Sequence, residues 1–344
     1  MSKKAKTAVI AIVCVVVCVG VIIGTMAGVA QKAKDDTACT SFLSSWMGFI
    51  KDDVLLTNTV IPGAHDAGSV SMMWAAETQD KRIGQMLECG VRYFDVRVEK
   101  KKDKLVIFHG PIMGVEFAPI IDDVSEFLTN NPSETVLLDF QHFNGDGVMQ
   151  AVYDVLSTKL EGKTVANDTE ADDLTFIKSL TLGDVRGKTL VLWGNFSGDN
   201  SACDFVKEHN DVFQRNNDSG NRAGSVLQSY YEGKLNKQTS KKYIETAIPK
   251  YVEKYKNGNG GLFVMQMQLT DPIAIVGPKF LESTHDKYAS EFVKNLPNAD
   301  YFDCVNIIMR DYLGARKSKE IIALNLAKNN VEQTKIALFE QETA

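Results

Sequence analysis

The chain has 344 residues, 44% of them hydrophobic and 24% charged, with a formal net charge of −6. That composition excludes disordered, collagen-like and low-complexity architectures and suffices to bury a sizeable core. All 44 acidic groups and 35 of the 38 basic ones lie beyond residue 30, so that part carries −9 and does not attract nucleic acid or an anionic leaflet.

The first element in chain order is apolar. Thr7–Gln31 holds no charged side chain, and Ala8–Ala30 is almost all Val, Ile, Ala, Gly or Cys. As a helix rising about 1.5 Å per residue it reaches roughly 35 Å, enough for a hydrocarbon core of about 30 Å. Lys3, Lys4 and Lys6 precede it, whereas Lys32 and Lys34 are offset by Asp35 and Asp36, so the positive-inside bias keeps residues 1–6 cytoplasmic. The expectation is a transmembrane signal anchor over 7–31 in a single-pass type II membrane protein whose bulk is lumenal or extracellular. The alternative is secretion after signal cleavage before Gln31, but the run exceeds the roughly 7–15 apolar residues of a signal peptide. Residues 32–56 form a juxtamembrane segment and entry helix.

Eight short runs rich in Val, Ile, Leu and Phe follow, at Thr59–Ile61, Val91–Val98, Leu105–Phe108, Thr135–Phe140, Thr189–Leu192, Ser225–Gln228, Leu262–Leu269 and Cys304–Met309. Several are continuous, as in strands buried on both faces of a parallel sheet. Helical patterns lie between them, including Val124–Asn130, Val148–Leu160 and Lys241–Tyr255. Eight strand–helix alternations predict an α/β chain folded as a (β/α)8 TIM-like barrel over 57–314, with a doubly wound sheet as the alternative. Ser157–Asp173 and Asn195–Asn221 read as long polar loops. Residues 315–344 form a terminal helical segment that packs on the barrel or frays.

Cys39, Cys89, Cys203 and Cys304 allow two disulfides in three pairings that the sequence does not rank, with free thiols as the equal alternative. Asn167, Asn195 and Asn217 open sequons that matter only in a lumenal chain. His209 and His285 stand in polar surroundings and read as solvated loop residues.

The chemistry gathers where strands end. His65 follows the first run in IPGAHDAG and His109 the third in VIFHG; Asp95 and Arg97 alternate along the second, on one face. The fourth ends in Asp139, Gln141 and His142, and the eighth in Asp311. Barrel enzymes build their sites on this rim. Two imidazoles flanking a guanidinium suit phosphodiester cleavage by an internal hydroxyl: one takes the nucleophile's proton, the other protonates the leaving oxygen, and the cation holds phosphate charge. No metal is needed for that chemistry.

IPGAHDAG, Gln85 in RIGQMLECG, VRYFDVRV, LVIFHG, TNNPSETVLLDFQHF and the late VNIIMRDYLG resemble, in order and spacing, the X region of phosphatidylinositol-specific phospholipase C. LLDFQHF, GKTLVLW and LFVMQMQLT are most similar to small eukaryotic proteins that contain only this X domain. The resemblance implies a distorted TIM barrel that cleaves phosphatidylinositol through a cyclic inositol phosphate, releasing diacylglycerol. It makes His65 the general base oriented by Asp311, and His109 the general acid helped by Asp66. Arg97 would stand where calcium-dependent members have an acidic ligand, so no cofactor or metal is implied, and Asp95 would fix it. Tyr231, or equally Tyr230, would stack on the inositol, with Asp139, Gln141 and His142 also toward the substrate. Gly194 and Asn195 replace a bacterial headgroup arginine, Ser229 an aspartate, and Gln141 or His142 a lysine. The expected partners are therefore a membrane phospholipid, either phosphatidylinositol or a glycosylphosphatidylinositol-like lipid, and the bilayer through the N-terminal helix. The competing functions are a metal-dependent glycerophosphodiesterase or sphingomyelinase D-like enzyme, and a non-catalytic lipid-binding domain.

Overall fold

Runs of β-branched and aromatic residues pair side by side because a parallel sheet buried on both faces satisfies their backbone groups and covers their side chains at once. In the computed structural model, which describes residues 37–194, 201–216, 224–232, 240–258, 260–271 and 277–344, ten strands form one sheet. They are β1 (Ile61–Ala64), β2 (Tyr93–Lys101), β3 (Lys104–His109), β4 (Ile112–Glu116), β5 (Val136–Asn144), β6 (Thr189–Trp193), β7 (Val212–Gln214), β8 (Leu227–Tyr230), β9 (Leu262–Gln266) and β10 (Ile307–Arg310). Eight run parallel in the order β7-β6-β5-β2-β1-β10-β9-β8. The gap between β7 and β8 is crossed by Val226 N donating to Gln214 O (2.7 Å) and Asn216 N donating to Leu227 O (2.9 Å). The Asn216 carboxamide extends this ladder, donating to Ser229 O (2.8 Å) and accepting from Ser229 N (2.9 Å). The sheet is thus a nearly closed eight-stranded barrel.

Side chains alternate between two buried clusters, as a period of two requires. Tyr93, Leu137, Val264 and Ile307 join one with the N-terminal segment; their neighbours Phe94, Leu138, Met265 and Ile308 join the other with the surrounding helices. Helix Phe117–Asn130 turns Phe117, Ile120, Ile121, Val124, Phe127 and Leu128 inward. It starts earlier than its pattern suggested because Pro119 lies in the first turn, where no intrahelical donor is needed.

Four expectations need correction. Leu105–Phe108 is not a barrel strand: β3 pairs antiparallel with the long β2 and with β4, as a hairpin standing off the barrel. The missing barrel strand, β7, lies inside the stretch read as a polar loop, behind helix Ser201–Lys207. Its three residues are too few to show a period. The C-terminal segment packs rather than frays, with Phe339 fully buried and 5.5 Å from Phe42, ring to ring. Cys39 is bonded to Cys89 and Cys304 is free, while the Cys203 side chain lies outside the described residues. His285 is not solvated: it is buried in helix Pro278–Asn295 with Nε2 at 2.6 Å from Met267 O. His209 is half-buried and stacks on Tyr153 and Phe205. Among the described residues no helix is long and apolar enough to cross a membrane. The anchor expected over 7–31 lies outside the described residues, as do Asn195 and Asn217.

Candidate active site

At the exit of β1 the backbone turns sharply, and Asp66 adopts a left-handed conformation (φ 43). Such a residue persists only where its surroundings hold it. Here Asp95, on β2, does so: its carboxylate accepts Asp66 N (3.2 Å) and its carbonyl accepts Ala67 N (2.7 Å). The turn aims His65 into the barrel mouth. His65 Nδ1 donates to Asp311 Oδ1 (2.7 Å), just past β10, and Nε2 lies 3.4 Å from Asp66 Oδ2. His109 reaches the same carboxylate from the tip of the hairpin, with Nδ1 donating to Ala76 O (2.9 Å) and Nε2 at 3.6 Å from Asp66 Oδ2. Arg97 completes the cluster, with Nε 2.5 Å from Asp66 Oδ1 and Nη2 3.9 Å from Asp95 Oδ2. Asp66 is therefore the hub on which two imidazoles and one guanidinium converge.

These groups open into a cavity of about 360 Å³ that Gln141, His142, Tyr231, Gln266 and Gln268 also line. Burial alone would depress His65, but the charges of Asp66 and Asp311, the Asp311 hydrogen bond and the charge of Asp95 hold it up at about 9. Burial would raise Asp66, yet Arg97, then His65 and His109, hold it down at about 2. Asp95 is pushed up to about 7 by burial against the pull of Arg97, and burial likewise raises Asp311 against His65. His142 falls to about 3 through burial and then Arg97, so it faces the cavity neutral. The cluster thus holds an imidazolium at His65 beside an ionised Asp66.

Below the mouth the interior stays polar for one more layer. Asp139 Oδ1 pairs with Arg215 Nε (2.7 Å), both fully buried, and Asp139 Oδ2 accepts from Tyr93 OH (2.5 Å) and Gln141 Nε2 (3.2 Å). Asp139 therefore sits under the cavity and does not line it. Of the two tyrosines, Tyr231 lines the cavity and donates to Thr270 Oγ1 (2.7 Å); Tyr230 points into the surrounding layer and donates to Gln228 Oε1 (2.9 Å). Gly194 leaves the space that the Arg215 side chain crosses, since a Cβ there would collide with Arg215 Cγ. The guanidinium absent from the end of β6 thus enters the interior from β7.

Gln266 and Gln268 were missed as cavity residues. Gln268 Nε2 donates to Gln266 Oε1 (2.6 Å), and Gln266 Nε2 to Ser229 Oγ (2.7 Å). Two glutamines at alternate positions in the apolar LFVMQMQLT run were a usable sign, because polar groups on one face of a buried strand must point somewhere polar.

One donor atom each from His65, Asp66 and Asp95 lie within 4.8 Å of one another, near enough to share a cation. Arg97 already presents a fixed positive charge to both carboxylates. The set can accept a proton at one imidazole, deliver one from the other, and hold an anion between them.

Residues 54–194 match the family model for "Phosphatidylinositol-specific phospholipase C, X domain". A "1-phosphatidylinositol phosphodiesterase" of Listeria monocytogenes is 32% identical over 161 residues, 44% of this chain and 48% of that protein. A mouse "PI-PLC X domain-containing protein 2" is 28% identical over 134 residues, 29% of this chain and 39% of that protein. The chain thus aligns with less than half the length of either relative. Among solved structures, phosphatidylinositol-specific phospholipase C from Listeria monocytogenes superposes with a TM-score of 0.63 at 22% identity, covering 82% of this chain and 98% of that one. That likeness shows the fold.

Proposed function

We propose that the chain, whose residues 54–194 match the phosphatidylinositol-specific phospholipase C X-domain family, is a phospholipase C-type phosphodiesterase acting on phosphatidylinositol or a glycosylphosphatidylinositol-like lipid. One observation carries the reading: His65 and His109 both turn Nε2 toward the Asp66 carboxylate, with Arg97 alongside, in one cavity.

In this mechanism His65 Nε2 takes the proton of the headgroup hydroxyl next to the phosphoester. That oxygen attacks phosphorus, the bond to the diacylglycerol oxygen breaks, and His109 supplies its proton. The products are a cyclic inositol phosphate and diacylglycerol. Asp311 keeps the His65 proton on Nδ1 and stabilises the imidazolium that forms. Arg97 gathers charge on the non-bridging oxygens, and Asp95, its neighbour along β2, steadies it. Gln141, His142 and Tyr231 face the headgroup.

Arg97 takes the part a divalent cation would play, so the activity needs no metal; a fixed guanidinium beside Asp66 repels one. The −9 carried beyond residue 30 offers no pull toward an anionic leaflet. Membrane residence is accordingly assigned to residues 7–31 as an anchor, with the barrel lumenal or extracellular. The test is incubation of the purified chain, in EDTA, with labelled phosphatidylinositol and with a glycosylphosphatidylinositol-anchored protein. Cyclic inositol phosphate from either supports the proposal. Turnover that appears only when a divalent cation is added back favours the metal-dependent alternative and contradicts it.

A further inference from the structure

The His65–Asp311 pair spans two strands that are far apart in sequence, since His65 leaves β1 and Asp311 leaves β10. Their hydrogen bond fixes the His65 tautomer only if the two exits keep their spacing. β1 and β10 pair as far as Ala64 and Arg310, and His65 N donates to Arg310 O at 3.2 Å. The strand pairing of the two ends there.

We propose that Gln79 is the positioning residue that holds these exits together and thereby keeps His65 aligned on Asp311. Its side chain is completely buried. Nε2 donates to His65 O (2.9 Å) and to Arg310 O (3.0 Å), and Oε1 accepts Leu313 N (2.9 Å). The amide orientation is unambiguous, because two carbonyls can only accept and a backbone N–H can only donate. One carboxamide therefore grips the backbone of the base and the backbone on both sides of its carboxylate partner. Neither a shorter nor an apolar side chain can do the same.

The surroundings point to the same role. Thr78, the preceding residue, donates to His65 O (3.0 Å) and Asp66 O (3.2 Å), and its carbonyl accepts Tyr312 N (2.8 Å). Tyr312 is held left-handed (φ 47), a conformation that needs such support. Ser69 Oγ accepts both Thr78 N and Gln79 N, folding the 66–79 loop back under the rim. From the outer side, buried Lys317 donates to Asp311 O (3.0 Å) and Glu282 Oε1 (2.7 Å). The groups facing the His65 imidazole are Asp66, Asp95 and Asp311. Gln79 touches none of the reacting atoms and acts only through the backbone that carries them.

The inference rests on the proposed roles of His65 and Asp311, so its test has a readout that needs no substrate. The full chain is compared with Gln79→Met, which keeps the length and removes every polar contact, and with Gln79→Glu, which keeps the shape and at most one donor. Leu182→Ala is the control: Leu182 is buried in the cluster that holds the N-terminal segment and does not line the cavity. Turnover and the NMR titration of the His65 imidazole are measured together. In Gln79→Met we expect kcat to fall about tenfold or more with KM changed less than about twofold, as loss of alignment dictates. The His65 midpoint should fall as its bond to Asp311 loosens. Gln79→Glu should lie between, and it carries the test alone if Gln79→Met does not fold. Leu182→Ala should lower the melting temperature but leave both readouts in place. Folded Gln79 variants with wild-type kcat and wild-type His65 midpoint overturn the proposal, as does a Leu182→Ala chain that reproduces their changes. A chain that turns over no phosphodiester but still shows the lowered His65 midpoint supports the stitch while overturning the proposed function.

Discussion

His65 has to be neutral to act as a base, yet three carboxylates hold it up at about 9. Activity limited by that group rises as pH rises through its titration, because only the deprotonated form accepts a proton. Asp311→Asn removes a negative charge and a hydrogen bond that favour the charged form. We predict that pH–rate profiles for Asp311→Asn show the acid limb of kcat/KM displaced to lower pH and kcat reduced by about 10²–10⁴-fold; an undisplaced limb would show that Asp311 does not govern His65. At this scale the sequence was most informative where a polar residue stands near the end of an apolar run, as His65, Arg97 and Asp311 do. It failed on depth. Asp139 and Gln141 share one face of β5, but only the height of each along the barrel decides that Gln141 lines the cavity while Asp139 lies beneath it. Gln79 carried no sign at all, since the carbonyl it grips at Arg310 is 231 residues away.

Among the elements, the β3–β4 hairpin shows how one residue can be placed correctly for the wrong reason. His109 was expected at the exit of a barrel strand, and it arrives instead at the tip of an antiparallel excursion from β2. An apolar run of four residues carries no sign of whether its neighbour will be parallel or antiparallel. β7 was hidden for a different reason: three residues in a polar stretch give no periodicity, although Arg215, directly after the strand, enters the interior. Removing one partner of a fully buried ion pair strands the other charge, at about 3–5 kcal/mol. Arg215→Met should therefore lower unfolding stability by that order in denaturant titrations, and adding Asp139→Leu should restore much of it. A single variant as stable as the parent would mean that this pair does not organise the polar layer.

The whole molecule was legible in outline, because eight alternations of strand and helix in this length admit few architectures. The number came out right through compensation, with one hairpin strand counted in and one barrel strand left out. The site needed joint placement: each histidine alone is unremarkable, and the two meet at Asp66 only when the fold brings the exit of β1 and the β3–β4 hairpin together. Closure also fixes where the chain enters. Cys39 is tied to Cys89, just before β2, and Trp46 Nε1 donates to Gly90 O, so the described chain begins at the strand-entry end, opposite the cavity mouth. The division of labour between the two imidazoles is tested most directly by leaving-group dependence, comparing phosphatidylinositol with an inositol phosphodiester of an acidic phenol, whose oxygen departs without a proton. His109→Ala should lose about 10²–10⁴-fold on the lipid and stay near wild type on the phenol ester, while His65→Ala should lose activity on both. Equal losses for His109→Ala on the two substrates, or near-normal turnover by His65→Ala, would contradict it.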